Sequence, residues 1–369
     1  MRTVFNRKTL RRFCGFLSPL LVLGICSCGS DNTPEENSFD RKAMLKSVAD
    51  NLIIPNFEKL KLGVDELSAH VDLFTQNPNI EQLKATRKAW RQAAIDHQHC
   101  SAFGFGPANL LLGPYAEVLG VFPVNESKVE ANIQNPDFDL ANSFDRDVRG
   151  FYAIEYLLFG NSSNSALIAS FNQERKDYLL LITAELKTTF SEIANEWKNS
   201  YRSEFINSDG TSAGSSITLY YNSFLKDYEN LKNYKVELPA GLTAGQNGPD
   251  SNLVEARYSG ISRDLIAAHF ANSKNIWAGE TRNGEAIIGF DDYLETVVGG
   301  PELITQTKEA WAKIELALNA LPEGRISRHV DSEEMIDLRD ELQNNTANIK
   351  SSMVSLLGLT ITYNSGDGD

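Results

Sequence analysis

The 369-residue sequence predicts an all-α protein of two packed helical bundles, and three observations carry that expectation. Apolar residues recur at steps of three and four in six long stretches, the spacing that builds an apolar stripe on one helix face. Runs of period two are almost absent; "EAIIGF" (285–290) is the one weak strand candidate. Two polar, glycine-bearing breaks, 207–216 and 238–252, interrupt the stripes. The first leaves roughly four substantial helices on each side, enough for one bundle apiece. A composition of 42% hydrophobic and 23% charged residues is that of a globular chain rather than a disordered or membrane-embedded one.

The chain opens with "MRTVFNRKTLRR", which supplies five positive charges and no acid, followed by the short apolar run "FCGFLSPLLVLG". This is the order of a secretory signal, and the run is too short for a stable membrane span. "ICSC" then resembles a bacterial lipobox. Ser27 is the small residue before Cys28, whereas bulky Ile25 precedes Cys26, so Cys28 is the expected lipidation site. Residues 1–28 read as the signal peptide and 29–40 as a flexible polar tether. Gly29 stands where an Asp would retain a lipoprotein at the inner membrane, which favours the outer membrane.

The five basic residues of the signal leave with it, so the mature chain carries 30 Lys+Arg against 49 Asp+Glu, a net −19. Such a chain has no field to hold nucleic acid. Cys14 and Cys26 also leave and Cys28 takes lipid, so Cys100 remains alone and no intrachain disulfide forms.

Within the mature chain, Phe57, Leu60, Val64, Leu67, Val71 and Phe74 form the first seam, with Val48, Leu52 and Ile53 ahead of it and Pro55 as an expected kink. Leu83, Trp90 and Ala94 continue on a second helix. Tyr178 to Trp197 and Ile217 to Leu231 mark two more, Leu303 to Leu318 and Met335 to Leu356 the last pair. The expected bundles are 41–207 and 208–365.

"RGFYAIEYLLFG" (149–160) reads as a buried helix, apolar nearly all round, with Glu155 as its one charge after Gly150. A buried carboxylate must find a partner or take up a proton. Tyr152, one turn earlier on the same face, is an expected partner, with Arg149, Arg87 and Arg91 as alternatives. "VEARYSGISRDL" gathers Glu255, Arg257, Ser259 and Ser262 before a helix starting near Ile261, and Ser259 or Ser262 is placed to cap it. His97 and His99 in "DHQHC" stand about 200° apart on a helix and cannot grip one ion there. In an extended turn they and Cys100 form a weak metal candidate, but a solvated pair at a helix end is the expectation. No His-Glu-x-x-His or mature Cys-x-x-Cys motif occurs.

"TRKAWRQAAIDHQHCSAFGFGPA", "RGFYAIEYLLFG" and "LVEARYSGISRDL" together resemble, in order and spacing, the imelysin-like family over most of residues 41–365. The resemblance implies an exported, often lipid-anchored protein of two helical domains with a central site near their interface, linked to bacterial iron or haem uptake. The family's Gly-x-His-x-x-Glu signature stands here as Gly150-Phe151-Tyr152-Ala153-Ile154-Glu155, so Tyr152 holds the histidine position. Ser101 replaces an acid often found before the family's Phe-x-Phe-Gly run. A neutral phenol is a poor metal ligand near pH 7. The expected reading is therefore a lipid-anchored envelope protein binding a small ligand or an iron-uptake partner, with a degenerate site for a divalent metal or iron. Glu155 is the best ligand candidate, and Tyr152, Arg149, Glu255, Ser259 and Ser262 line the site. A metal-dependent peptidase and a structural partner of an outer-membrane receptor are the alternatives.

Overall fold

In the computed structural model the described residues are 39–135, 137–140, 143–161 and 163–362. The signal segment, Cys28 and nearly all of the tether lie outside them. Helix α1 (Arg41–Val48) starts where Asp40 accepts from the Ala43 amide at 2.9 Å, an ordinary N-cap. It runs through a wide π turn (Ala49–Ile53) into α2 (Ile54–Gln76). The disturbance expected at Pro55 is thus a π turn just ahead of it, where the continuous helix widens to accommodate a residue that has no N–H to donate. Asn79 caps α3 (Ile80–Gln98).

A two-stranded antiparallel hairpin follows, Asn109–Leu110 against Gly113–Pro114. Helices α4 (Tyr115–Leu119), α5 (Glu126–Gln134), α6 (Gly150–Phe159), α7 (Asn164–Ala169), the long α8 (Gln173–Glu196) and α9 (Arg202–Asn207) complete the first half. The second half holds α10 (Ser216–Asn230), α11 (Ser262–Ala278), α12 (Phe290–Glu295), α13 (Gly300–Ala320), α14 (Glu333–Thr346) and α15 (Met353–Leu357). All-α is the fold class. No helix among the described residues is long and apolar enough to cross a membrane.

"EAIIGF" is not a strand. It makes one isolated bridge, Ala286 to Glu280, in the return that follows α11. That return is tight: Gly279 ends α11 in the left-handed region (φ 61°), and a Cβ there would sit 2.5 Å from Gly289 N.

Helix α2 packs along both α3 and α8, α13 along α14, and α11 reaches α3 from its neighbours α10 and α12. Phe57, Leu60, Val64, Leu67, Val71 and Phe74 are all fully buried, as a seam between two helices requires. The buried apolar side chains form one continuous cluster from Met44 to Leu359. Helix α6 is wedged among α3, α4 and α8. Gly150 permits this: its φ is 73°, and a Cβ there would stand 2.0 Å from Leu119 O at the end of α4. The Trp90 indole on α3 donates to Phe151 O at 2.9 Å and ties the other side.

Candidate functional site

Glu155 is buried, 2% exposed, and its partner is neither Tyr152 nor an arginine. Its Oε1 accepts the Ser259 amide at 2.7 Å. Burial raises the Glu155 carboxyl to about 7; the Ser259 donor holds it down and the Glu255 charge adds to the rise. The three arginines are engaged elsewhere. Arg149 donates to Leu140 O, Ser143 O and Asp145 O and pairs with Glu185 at 2.7 Å, so it clamps the loop before α6 to α8. Arg87 donates to Leu158 O, and Arg91 makes its one hydrogen bond among the described residues to Ser259 O, at 3.5 Å.

Tyr152 turns instead to Glu255, donating its hydroxyl to Oε1. Burial, with the Glu255 charge behind it, pushes the phenol well above its ordinary value, so Tyr152 is a neutral donor. The same Oε1 receives Lys235 Nζ at 2.9 Å and Gln98 Nε2 at 3.3 Å, while Oε2 is buried without a partner. Lys235 also donates to Gln98 Oε1, which fixes the orientation of that amide. Gln98 Nε2 then points at His97 Nδ1, 3.3 Å away, leaving the imidazole proton on Nε2. His97 Nε2 is buried and unpartnered.

Local structure explains this convergence. The turn after residue 253 holds Ala256 in the left-handed region (φ 52°) and Gly260 likewise (φ 76°). It sets both the Glu255 side chain and the Ser259 amide against α6, the first on Tyr152 and the second on Glu155. Neither serine caps α11. The cap position is Ile261 with no side-chain bond, Ser259 Oγ donates to Ala256 O at 3.2 Å, and Ser262 Oγ donates to Glu255 O. Both hydroxyls brace the turn. Lys235 comes from a π turn, Leu231–Glu237, that continues α10, a frequent device for aiming a side chain at a site.

His97 and His99 are not a solvated pair. Both are buried because α3 ends under the short turn Ser101–Phe103, which packs on α10 and α11. Burial brings both imidazoles down to about 3, helped by Lys235 for His97 and by Arg282 for His99, so both are neutral. Cys100 is buried beside them, its thiol pushed up by desolvation. No group of three His, Cys, Asp or Glu side chains placed for a metal occurs among the described residues.

A cleft of about 750 Å³ opens over this network. Its floor carries His97, Gln98, Glu255 and Lys235, joined by Asp227 and His269, which pair at 2.9 Å. Ser101 donates to Asp227 at 3.1 Å, so a carboxylate reaches this place from α10 although position 101 carries none. Gly120 lets the chain pack closely on His97, since a Cβ there would lie 3.0 Å from Cε1 and 2.7 Å from Ala116 O. Gln98, Asp227, Lys235 and His269 were not singled out from the sequence.

These residues do not fit a divalent metal. The Lys235 ammonium stands 2.9 Å from the Glu255 carboxylate, where a cation would bind. Glu155 is committed to the Ser259 amide and half protonated near neutrality. Calorimetric titration with Zn²⁺ or Mn²⁺ is expected to show weak binding or none. Tyr152→His alone leaves the ammonium in place, so gain of binding is expected only with Lys235→Gln added. Tight binding by the natural chain, abolished in Glu155→Ala, reverses this reading.

The architecture has counterparts. Iron-regulated protein A of Synechococcus elongatus is 21% identical over 283 residues, 76% of this chain and 75% of that one. A crystal structure from Parabacteroides distasonis, described as an iron-regulated protein A precursor, superposes with a TM-score of 0.72 at 18% identity over 86% of this chain and 95% of that one. An imelysin-like protein from Psychrobacter arcticum gives 0.67 at 20% identity, covering 88% and 97%. At these identities the structures speak for the fold. The family model of imelysin, peptidase M75, matches residues 53–353, and that span includes α6, the Glu255–Ser262 turn and Lys235, so the chain belongs to the imelysin family.

Proposed function

We propose that this is a binding protein of the bacterial cell envelope, tethered to the outer membrane by lipid on Cys28, that holds a small polar ligand in the His97–Glu255 cleft during iron or haem acquisition. The observation that carries the reading is the cleft floor. Its lining residues include a buried donor (His97 Nε2) and a buried acceptor (Glu255 Oε2) that have no protein partner among the described residues, and such groups cost free energy unless something bonds to them. A neutral His97 donates and Glu255 accepts, while Lys235, Gln98 and Tyr152 hold the carboxylate still. The rim mixes both signs, with Lys128, Arg146 and Lys226 facing Glu117, Asp145 and Asp147, which suits a polar molecule rather than an apolar one.

The iron association draws on the name of the Synechococcus relative. A peptidase reading needs a metal cation where Lys235 already stands, and nothing in the donor set favours it. The test is genetic and chemical together. A strain lacking the chain is expected to grow more slowly than its parent under iron restriction and to recover with the wild-type gene, but not with Gln98→Ala. Native mass spectrometry of protein taken from iron-starved envelopes is expected to show a small adduct that Gln98→Ala loses. Equal growth of parent and null strain removes the iron link; absence of any adduct removes the binding role.

A further inference from the structure

The same turn borders a second cleft, of about 790 Å³, into which Tyr258 and Ser259 face. Six cations line it: Lys84, Arg87 and Arg91 from α3, with Arg257, Arg325 and Arg328 from the second half. No carboxylate is among the lining residues, in a chain with 49 acidic residues against 35 basic ones. Only Arg257 has an acidic partner, Glu126, among the described residues.

Arg87 and Arg325 are held in place by neutral groups, so their charge stays uncompensated. Arg87 donates to Leu158 O at 2.7 Å and to Asn164 Oδ1 at 2.8 Å. Arg325 donates to Arg257 O at 3.0 Å and Tyr258 O at 3.1 Å. It lies so close over Gly260 that a Cβ there would stand 2.9 Å from its Cγ. Arg87 and Arg91 flank the Phe159 ring, 4.8 and 5.4 Å from its centre. Crowding of like charge is real here: burial and then Arg91 lower the Arg87 pKa. Planar guanidinium groups around a concave space, with Glu126 on Arg257 as the one counter-charge among the described residues, match the geometry of carboxylate and phosphate oxygens.

We infer that this basic cleft is a binding site for a small, multiply charged oxyanion, a tricarboxylate or a pyrophosphate being the chemical class. The site is separate from the His97–Glu255 cleft and does not rest on the ligand assigned there. Bound anion relieves the repulsion between Arg87 and Arg91 and gains charge-assisted bonds from both halves of the chain.

The test is calorimetric titration of the purified protein with citrate and with pyrophosphate in a low-salt buffer free of other polyvalent anions. One-to-one binding that weakens steeply with added NaCl is expected. Arg91→Gln with Arg325→Gln, both exposed positions, is expected to bind roughly a hundredfold more weakly, about tenfold per charge-assisted contact, with an unchanged circular dichroism spectrum. Lys235→Met with Glu255→Gln, in the other cleft, is expected to keep the wild-type anion affinity. The inference is overturned if neither anion binds, if the double arginine variant binds as tightly as wild type, or if the arginines bind only phosphatidylglycerol vesicles and no soluble anion.

Discussion

Replacing Lys235 by Met is expected to lower the unfolding free energy by about 3–5 kcal/mol, the usual result of leaving a buried ionised partner alone. Lys235 and Glu255 are 7% and 3% exposed at their side chains and 2.9 Å apart. Without the ammonium, Glu255 retains only the Tyr152 hydroxyl and the Gln98 amide, and Gln98 loses the donor to its own oxygen. Two neutral hydrogen bonds do not offset a desolvated charge. Adding Glu255→Gln to Lys235→Met removes the charge and should restore most of the loss, since a neutral amide needs far less from its surroundings. Urea unfolding of the wild type, the single and the double variant measures all three. A loss under about 1 kcal/mol in Lys235→Met, or a double variant no better than the single, contradicts the role given to the pair.

The helices were legible because their stripes were long: Phe57 to Phe74 step by three and four without a fault, and every one is buried. The π turns were not legible, because one extra residue in a turn leaves the apolar pattern on either side intact. That hid Lys235, which arrives on such a turn. A sign was present nonetheless, since Asp227 sits between Phe224 and Tyr228 in an otherwise apolar stripe, and buried charge at a stripe position marks a site. Burial of Glu155 followed from an apolar circumference. Its partner did not, because a backbone amide at Ser259 leaves no mark in the sequence. The basic cleft was half visible: Lys84, Arg87 and Arg91 share a face of α3, but three cations on a helix read as a solvated face until the fold brings Arg325 and Arg328 across. Likewise the burial of His97 and His99 depends on α10 and α11 covering the end of α3.

The Glu155 carboxyl gives the last prediction, a change in how stability varies with pH. Its value in the folded chain is about 7, against 4.5 when exposed, with burial the largest cause. Between those two values the folded chain binds the extra proton and the unfolded chain does not. Stability from this group therefore falls as pH rises through the window from about 4.5 to about 7. Below it Glu155 is protonated in both states and imposes no penalty; above it the penalty is complete. The displacement corresponds to about 3 kcal/mol. His97 and His99 work in the opposite sense, since their folded values of about 3 lie below the ordinary 6.5 and their contribution is lost as pH falls below 6.5. Wild-type stability alone mixes these slopes, so the comparison is with Glu155→Gln, which keeps both histidines and an acceptor for the Ser259 amide. The variant is expected to be close to wild type at pH 4.5 and more stable than it by about 3 kcal/mol at pH 8. Urea unfolding at half-unit pH steps reads the difference directly. A difference that is flat across this range means that Glu155 ionises at the same pH in the folded and unfolded chains, and that the hydrogen bonds of the Tyr258–Ser259 turn fully offset its burial.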